Sequence, residues 1–255
     1  MKQQDNKNKA NLYEVYNKED IVLDEIPLSE YPRPNFRRGS YLSLNGKWKF
    51  MKKKEPELPS EYEKEILVPY AVETIPSGIQ ERVETDDYLF YEREVHLEEG
   101  FVQGRLFLQF LAVDQICEVF IDKEKKMTHV GGYTPFTVEL DKDKKDFTIT
   151  LRIKDLTDSS YHERGKQTLS PKDFWYSSSS GIYQPVFLES TPEEYMKNAF
   201  FQVDYDHKTL KVKVVSDYKD DIQLWIKDNV YTITANQEAE IPLPYFHPWN
   251  IDDPY

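Results

Sequence analysis

One cysteine and nine glycines in 255 residues, five histidines, and no apolar run approaching a membrane span are the first features of this chain. A single thiol, Cys117, rules out an intrachain disulfide framework, and its place in the run Ile116-Cys-Glu-Val-Phe-Ile121 suits a small buried hydrophobe better than a nucleophile. Basic residues are in deficit, 33 Lys and Arg against 46 Asp and Glu, for a net charge of -13 and a pI of about 4.9. That charge repels phosphate backbones and anionic bilayers, so neither nucleic acid nor a membrane is expected as a partner. The opening stretch, Met1 to Lys9, is polar with no apolar segment behind it, which is unlike a secretory signal. The expected location is the cytoplasm.

The aromatic content is high, at 14%, and Val, Ile, Phe and Tyr fall in runs that favour strands over helices. Residues 1 to about 40 carry charge, Asn and Pro without periodicity, and read as an arm along the domain with a disordered tip. Leu44-Asn-Gly-Lys-Trp-Lys-Phe50 reads as an Asn-Gly turn feeding a strand, with Trp48 and Phe50 on one face. Lys52 to Glu65 reads as a loop. Strands are expected from Ile66 to an end at Pro69, and at Tyr88 to Leu97, Leu106 to Val113 and Ile116 to Asp122. Three more follow at Phe136 to Leu140, Phe147 to Ile153 and Ile182 to Leu188, with Lys123 to Lys126 as a charged hairpin tip.

About eight strands over residues 41–191 and no amphipathic helix predict a two-sheet, jelly-roll sandwich. Past Thr191-Pro-Glu-Glu194 the strands become shorter: Ala199 to Val203, Thr209 to Val215, Ile222 to Lys227, Val230 to Thr234 and Glu238 to Ile241. Their spacing predicts an immunoglobulin-like sandwich over residues 192–255.

Four stretches, in order, carry a family resemblance. Leu44 to Phe50 resembles an "LNGxWxF" strand, and Tyr88 to Arg93 a "WYxR" strand. Gly131-Gly-Tyr-Thr-Pro-Phe136 resembles a "GGYTPF" turn. Trp175-Tyr176 followed by Ser180-Gly-Ile-Tyr-Gln-Pro-Val-Phe-Leu-Glu189 resembles "WYxxxSGIWQxVWLE". Together they resemble the N-terminal part of glycoside hydrolase family 2, the family of bacterial β-galactosidases, β-glucuronidases and β-mannosidases. The tail from Pro248 is similar to a segment near the end of that family's second domain.

The resemblance implies an all-β chain: a galactose-binding-like jelly-roll, then a partial immunoglobulin-like domain that stops before its last strand. It implies retaining hydrolysis of β-glycosidic bonds, which needs two carboxyl groups about 5–5.5 Å apart. In the family that pair belongs to a third domain, a (β/α)8 barrel, which is absent here, so no catalytic residue is assigned. The partners implied are a barrel in cis or trans, carbohydrate held weakly if at all, and copies of the full-length parent. No cofactor is implied.

Among individual residues, Asp173 precedes Trp175 by two and is either a turn residue or one that reaches a sugar site. Trp175, Tyr176 and Tyr183 can stack on a sugar ring or form an apolar interface with the barrel, and the interface is the preferred reading. Arg164, Lys166 and Gln167 would lie at its polar rim. Glu92 with Glu94, and Glu238 with Glu240, share strand faces and read as solvated pairs. His96, His129, His162, His207 and His247 lack metal-ligand spacing, so no metal is expected. Two alternatives stay open: a free-standing carbohydrate-binding module and a β-sandwich interaction protein.

Overall fold

A computed structural model describes residues 25–33, 37–243 and 246–254; the tip of the expected arm, residues 1–24, lies outside them. The described residues are nearly all strand and turn, apart from one 3-10 turn at Thr157–Ser159. The chain divides into two units, one reaching to Ser190 and one starting at Thr191.

The first unit is a sandwich of two antiparallel sheets. One has four strands in the order β1 (Ser40–Ser43), β12 (Val186–Thr191), β5 (Arg105–Phe110) and β9 (Phe136–Leu140). The other has six: β3 (Lys64–Val68), β2 (Gly46–Lys53), β4 (Tyr88–His96), β10 (Asp146–Lys154), β7 (Ile116–Ile121) and β8 (Glu124–Val130). Alternation drives the layering. In β2, Trp48 and Phe50 point inward while Lys47 and Lys49 face water, and β9 buries Phe136, Val138 and Leu140. The inward faces meet in one apolar core that includes Trp48, Phe50, Tyr91, Leu108, Phe110, Leu151 and Leu188. Cys117 is fully buried there, and burial pushes its thiol pKa well up, away from thiolate chemistry.

Three local expectations are corrected. Asn45-Gly46 feeds a strand as expected but is not a turn. It is the crossing from β1 in one sheet to β2 in the other. Asn45 is fully buried: its Nδ2 donates to the carbonyls of Pro27 (2.9 Å) and Leu28 (3.1 Å), and its Oδ1 accepts from the Val186 amide (3.0 Å). Arg93 Nη1 reaches the carbonyls of Leu44, Asn45 and Lys47 from the far side. Secondly, Lys123 to Lys126 is more than a tip, since β8 begins at Glu124 and pairs with β7 through a bulge. A largely exposed edge strand gave no apolar alternation to read. Thirdly, Ile182 to Leu188 is not one strand. Gly181–Ile182 (β11) pairs with Val113–Asp114 (β6), and only after Pro185 does the chain resume as β12. Proline lacks the amide a continuous ladder needs.

Replacing Asn45 with alanine is expected to destabilise the first unit by about 2 kcal/mol, because it strips partners from buried backbone groups on two segments at once. Urea unfolding followed by tryptophan fluorescence measures it; a loss within about 0.5 kcal/mol would mean that water replaces the amide without penalty.

The second unit has a three-stranded antiparallel sheet, β13 (Met196–Asp204), β14 (Thr209–Ser216) and β17 (Glu238–Pro242), and a two-stranded ribbon, β15 (Asp221–Ile226) and β16 (Asn229–Thr234). Its small core contains Ala199, Leu210, Val212, Val214, Ile233 and Ile241. Asn236, at φ +65°, joins the two: its Nδ2 donates to the Ser216 and Tyr218 carbonyls and its Oδ1 accepts from the Ser216 amide. Asn tolerates this left-handed conformation better than most residues.

Candidate functional site

The candidate site of the first unit lies where the connections after β3, β6, β8 and β10 meet the serine-rich stretch before β11. Two levels can be distinguished, an exposed loop and a buried polar cluster.

In the loop, residues 164–168 lie beside 175–176. Tyr176 donates its amide to the Lys166 carbonyl, and Thr168 donates to the Tyr176 carbonyl, each at 2.9 Å. The excursion between them is turned by Asp173, exposed at φ +55°, with the Trp175 amide bonded to the Lys172 carbonyl (3.0 Å). Asp158 Oδ2 anchors the base of the loop by accepting from Thr168 Oγ1 (2.5 Å) and the Leu169 amide (3.3 Å). Trp175 is half-buried with its ring 5.2 Å from that of Phe174, and Lys166 Nζ stands 5.6 Å over Phe174. Tyr176 and Phe174 are exposed, and Arg164 donates to the Ser160 carbonyl (3.4 Å).

Gln167 links the two levels. Its Nε2 donates to Asp114 Oδ2 and to Tyr133 Oη, both at 3.1 Å, while its Oε1 accepts the Ser179 amide at 2.7 Å. Tyr183 closes the same corner by donating its hydroxyl to the Gly132 carbonyl. The structure therefore brings Gln167 and Tyr183 to one corner and sets Arg164, Lys166, Trp175 and Tyr176 along the paired loop. Asp173 forms no hydrogen bond or ion pair with any of them.

Beneath the loop are three acidic side chains that sequence reading passed over. Glu73, Asp114 and Asp155 are each 2% exposed. Ser180 Oγ lies 2.6 Å from Glu73 Oε1 and 2.7 Å from Asp155 Oδ2, and its amide donates to Glu73 Oε2 at 2.9 Å. Ser178 Oγ donates to Glu73 Oε1 at 3.1 Å, and Asp155 Oδ1 accepts the Thr157 amide at 2.6 Å. Burial, helped by the neighbouring charge of Asp155, raises the pKa of Glu73 to about 7. Asp114 is also raised to about 7, by burial first and then by Asp155. A signal was available: each follows an apolar or strand segment, at Ala71-Val72-Glu73, Val113-Asp114 and Ile153-Lys154-Asp155.

The glycines of this corner serve close approach. A Cβ on Gly132 would stand 2.6 Å from Asp114 Cγ, and one on Gly181 would stand 2.1 Å from Tyr91 Oη. Of the expected solvated acid pairs, Glu238 and Glu240 are both exposed on one face of β17, while Glu92 and Glu94 share a cation. Lys49 Nζ bridges Glu92 (3.1 Å) and Glu94 (2.9 Å), and Glu240 accepts from Thr209 Oγ1 (3.0 Å). Among the described residues no group of three or more His, Cys, Asp or Glu side chains is set to hold a metal ion, and no helix is long and apolar enough to cross a membrane.

Comparison with known proteins gives a consistent picture. The family profile described as glycosyl hydrolases family 2, sugar binding domain, matches residues 59–192. A β-galactosidase of Thermoanaerobacter pseudethanolicus is 25% identical over 144 residues, which is 54% of this chain and 18% of that protein. Among solved structures, the Faecalibacterium prausnitzii β-glucuronidase aligns with a TM-score of 0.65 at 20% identity, over 86% of this chain and 43% of that one. A family 2 β-galacturonidase from Eisenbergiella tayi, bound to galacturonate, aligns with a TM-score of 0.60 at 20% identity, over 87% and 40%. At these identities the structures speak to the fold. The chain spans less than half the length of each of these relatives.

Proposed function

Since this chain belongs to glycoside hydrolase family 2, we propose that it is the non-catalytic front part of a retaining β-glycosidase of carbohydrate metabolism, acting on a β-galactoside or a β-glucuronide. The observation that carries this reading is the domain on which the family match falls. The family match falls on the sugar-binding domain, and the chain accounts for 18% of the β-galactosidase and 43% of the β-glucuronidase it resembles. In this reading a barrel domain, in cis or in trans, supplies the proton donor and nucleophile that the retaining mechanism needs.

In this reading the loop over residues 164–176 is a docking edge for that barrel. Exposed Phe174, Tyr176 and Tyr133 give it apolar area, and Lys166 and Gln167 give it polar partners. Aromatic anchors ringed by polar groups suit a protein surface more readily than a flat solvent face. The second unit supports the same reading. Phe201 and Val203 share the face of buried Ala199 on β13 yet stay half-exposed, which suits a surface that further protein covers.

The 255-residue chain alone is expected to release no nitrophenol from nitrophenyl β-galactoside or β-glucuronide. Mixing it with a separately made barrel segment from the parent is expected to restore turnover. Hydrolysis by the purified chain alone would overturn the reading. Millimolar-or-tighter sugar binding by the isolated chain, lost in Tyr176→Ala, would instead favour a free-standing carbohydrate-binding module.

A further inference from the structure

Ser180 Oγ makes two short contacts to carboxyl oxygens, 2.6 Å to Glu73 and 2.7 Å to Asp155, but a hydroxyl has one hydrogen to donate. The second contact needs a proton on a carboxyl oxygen, because two acceptors at that separation repel. The remaining partners show how it is placed. Asp155 Oδ1 and Glu73 Oε2 are each taken by a backbone amide, leaving Asp155 Oδ2 and Glu73 Oε1 facing the hydroxyl, with Ser178 Oγ also donating to Glu73 Oε1 at 3.1 Å. A proton on Glu73 Oε1 donates to Ser180 Oγ, whose own hydrogen then goes to Asp155 Oδ2.

A second, independent observation is Asp114. Its side chain is 2% exposed, Oδ2 accepts from Gln167, and Oδ1 has no hydrogen-bond partner. It stands in register with Gly181, the residue after Ser180. A carboxylate oxygen left bare in the interior is heavily penalised, and a proton removes the charge.

The titratable groups that interact with the cluster are all acids, carboxyl groups first and then phenols and a thiol. Glu73 comes from the connection after β3, Asp114 from β6, Asp155 from the end of β10. Tyr91 of β4 and Cys117 of β7 lie behind, with Tyr133 and Tyr183 around Asp114. Among the described residues no Lys, Arg or His forms an ion pair with any of the three carboxyl groups.

We infer that Glu73, Ser180 and Asp155 hold a shared buried proton, with a second on Asp114, and that losing them loosens the Ser178–Gly181 segment from the Glu73 loop. On deprotonation the Glu73 proton passes to solvent, and Ser180 keeps one acceptor where it had two partners. The sign follows from Glu73, whose pKa is raised from 4.5 to about 7 in the folded chain. The stability it contributes is fully present below pH 4.5 and is lost as pH rises through about 7. The segment is therefore tighter in acid and looser in mild alkali, whether or not a barrel docks above it.

The test is made on the full 255-residue chain labelled with 13C at the Glu and Asp carboxyl carbons, titrated by NMR. One Glu and one Asp resonance are expected to titrate above about pH 6, well apart from ordinary carboxyl groups. Glu73→Gln and Asp114→Asn remove one each and so assign them. Amide exchange over residues 175–181, corrected for intrinsic rates, is expected to lose about tenfold protection between about pH 5.5 and 8.5. Glu73→Gln, which keeps a donor facing Ser180, is expected to flatten that change. Ordinary titration of every Glu and Asp in the wild-type chain would overturn the inference, as would protection that does not change with pH. Should Glu73→Gln fail to fold, the wild-type titration and exchange decide the matter without it.

Discussion

Gly181→Ala is expected to destabilise the first unit by about 4 kcal/mol, enough to leave much of the chain unfolded at ordinary temperatures. Two penalties coincide at this position. The backbone is at φ +89°, where an L side chain is strained, typically by about 1–2 kcal/mol. The added methyl would also stand 2.1 Å from Tyr91 Oη and 3.1 Å from its Cζ, and overpacking of a tight core costs about 1–3 kcal/mol. Neither side can yield easily. Tyr91 is fully buried in β4, and Gly181 is held by its pairing with Asp114 and by the adjacent Ser180 bonds to Glu73. The double variant Tyr91→Phe, Gly181→Ala is expected to recover about 1–2 kcal/mol, because removing Oη relieves the closest contact but leaves the strain. Urea unfolding of the four proteins in the cycle measures this. A Gly181→Ala loss below about 1 kcal/mol would show that β11 shifts to accommodate the methyl, and the corner would then be softer than its contacts imply.

Glu189→Ala is expected to cost about 3 kcal/mol, the second-largest effect, by dismantling a mostly buried ion pair from one side. Glu189 is 2% exposed on β12. Arg33 Nη1 lies 2.7 and 2.8 Å from its two oxygens, Tyr31 Oη donates at 2.9 Å, and buried Gln109 Nε2 donates at 3.1 Å. The Arg33 guanidinium also stands 5.3 Å over the Phe187 ring, and Tyr31 packs edge-on to Tyr41 at 4.9 Å. One carboxylate thus pins the segment through Tyr31 and Arg33 to the four-stranded sheet. Losing it leaves Gln109 without an acceptor and frees that segment. Limited proteolysis is expected to cut near residues 31–33 in the variant and not in the wild type, alongside the loss in urea unfolding. An unchanged cleavage pattern would mean that the aromatic contacts alone hold the segment, and that the charge contributes little.

The corner around Gly181 also shows why sequence reading reaches as far as it does. Ser180-Gly-Ile-Tyr-Gln-Pro stood out as a motif because its spacing is local. The reason for the glycine is not local, since Tyr91 lies ninety residues earlier in the chain and meets it only once β4 and β11 are folded together. Gly132 is similar. It reads as a turn glycine, but its missing side chain is the space that Asp114 fills. Asn45 reads with its neighbour as a turn feeding a strand, whereas its side-chain amide holds two distant segments. Local turn chemistry and long-range clamping use the same residue types, and spacing cannot separate them.

The acidic trio is the harder case. Acidic residues are overwhelmingly exposed, so 46 of them in one chain make any particular one look solvated. Glu73, Asp114 and Asp155 come from connections or strand ends that are far apart in the chain, and only the closure of two sheets puts them under one loop.

The sequence by itself determined that the chain is all-β, where its principal strands lie, and which family it belongs to. Period-two alternation and turn residues are properties of short segments, and four motifs in order need no coordinates. The tertiary structure alone decided which residues share a corner: Gln167 with Asp114, Ser180 with Glu73 and Asp155, Gly181 with Tyr91. Those pairings depend on strand order and on the crossing between sheets, and neither is written in any single stretch of chain.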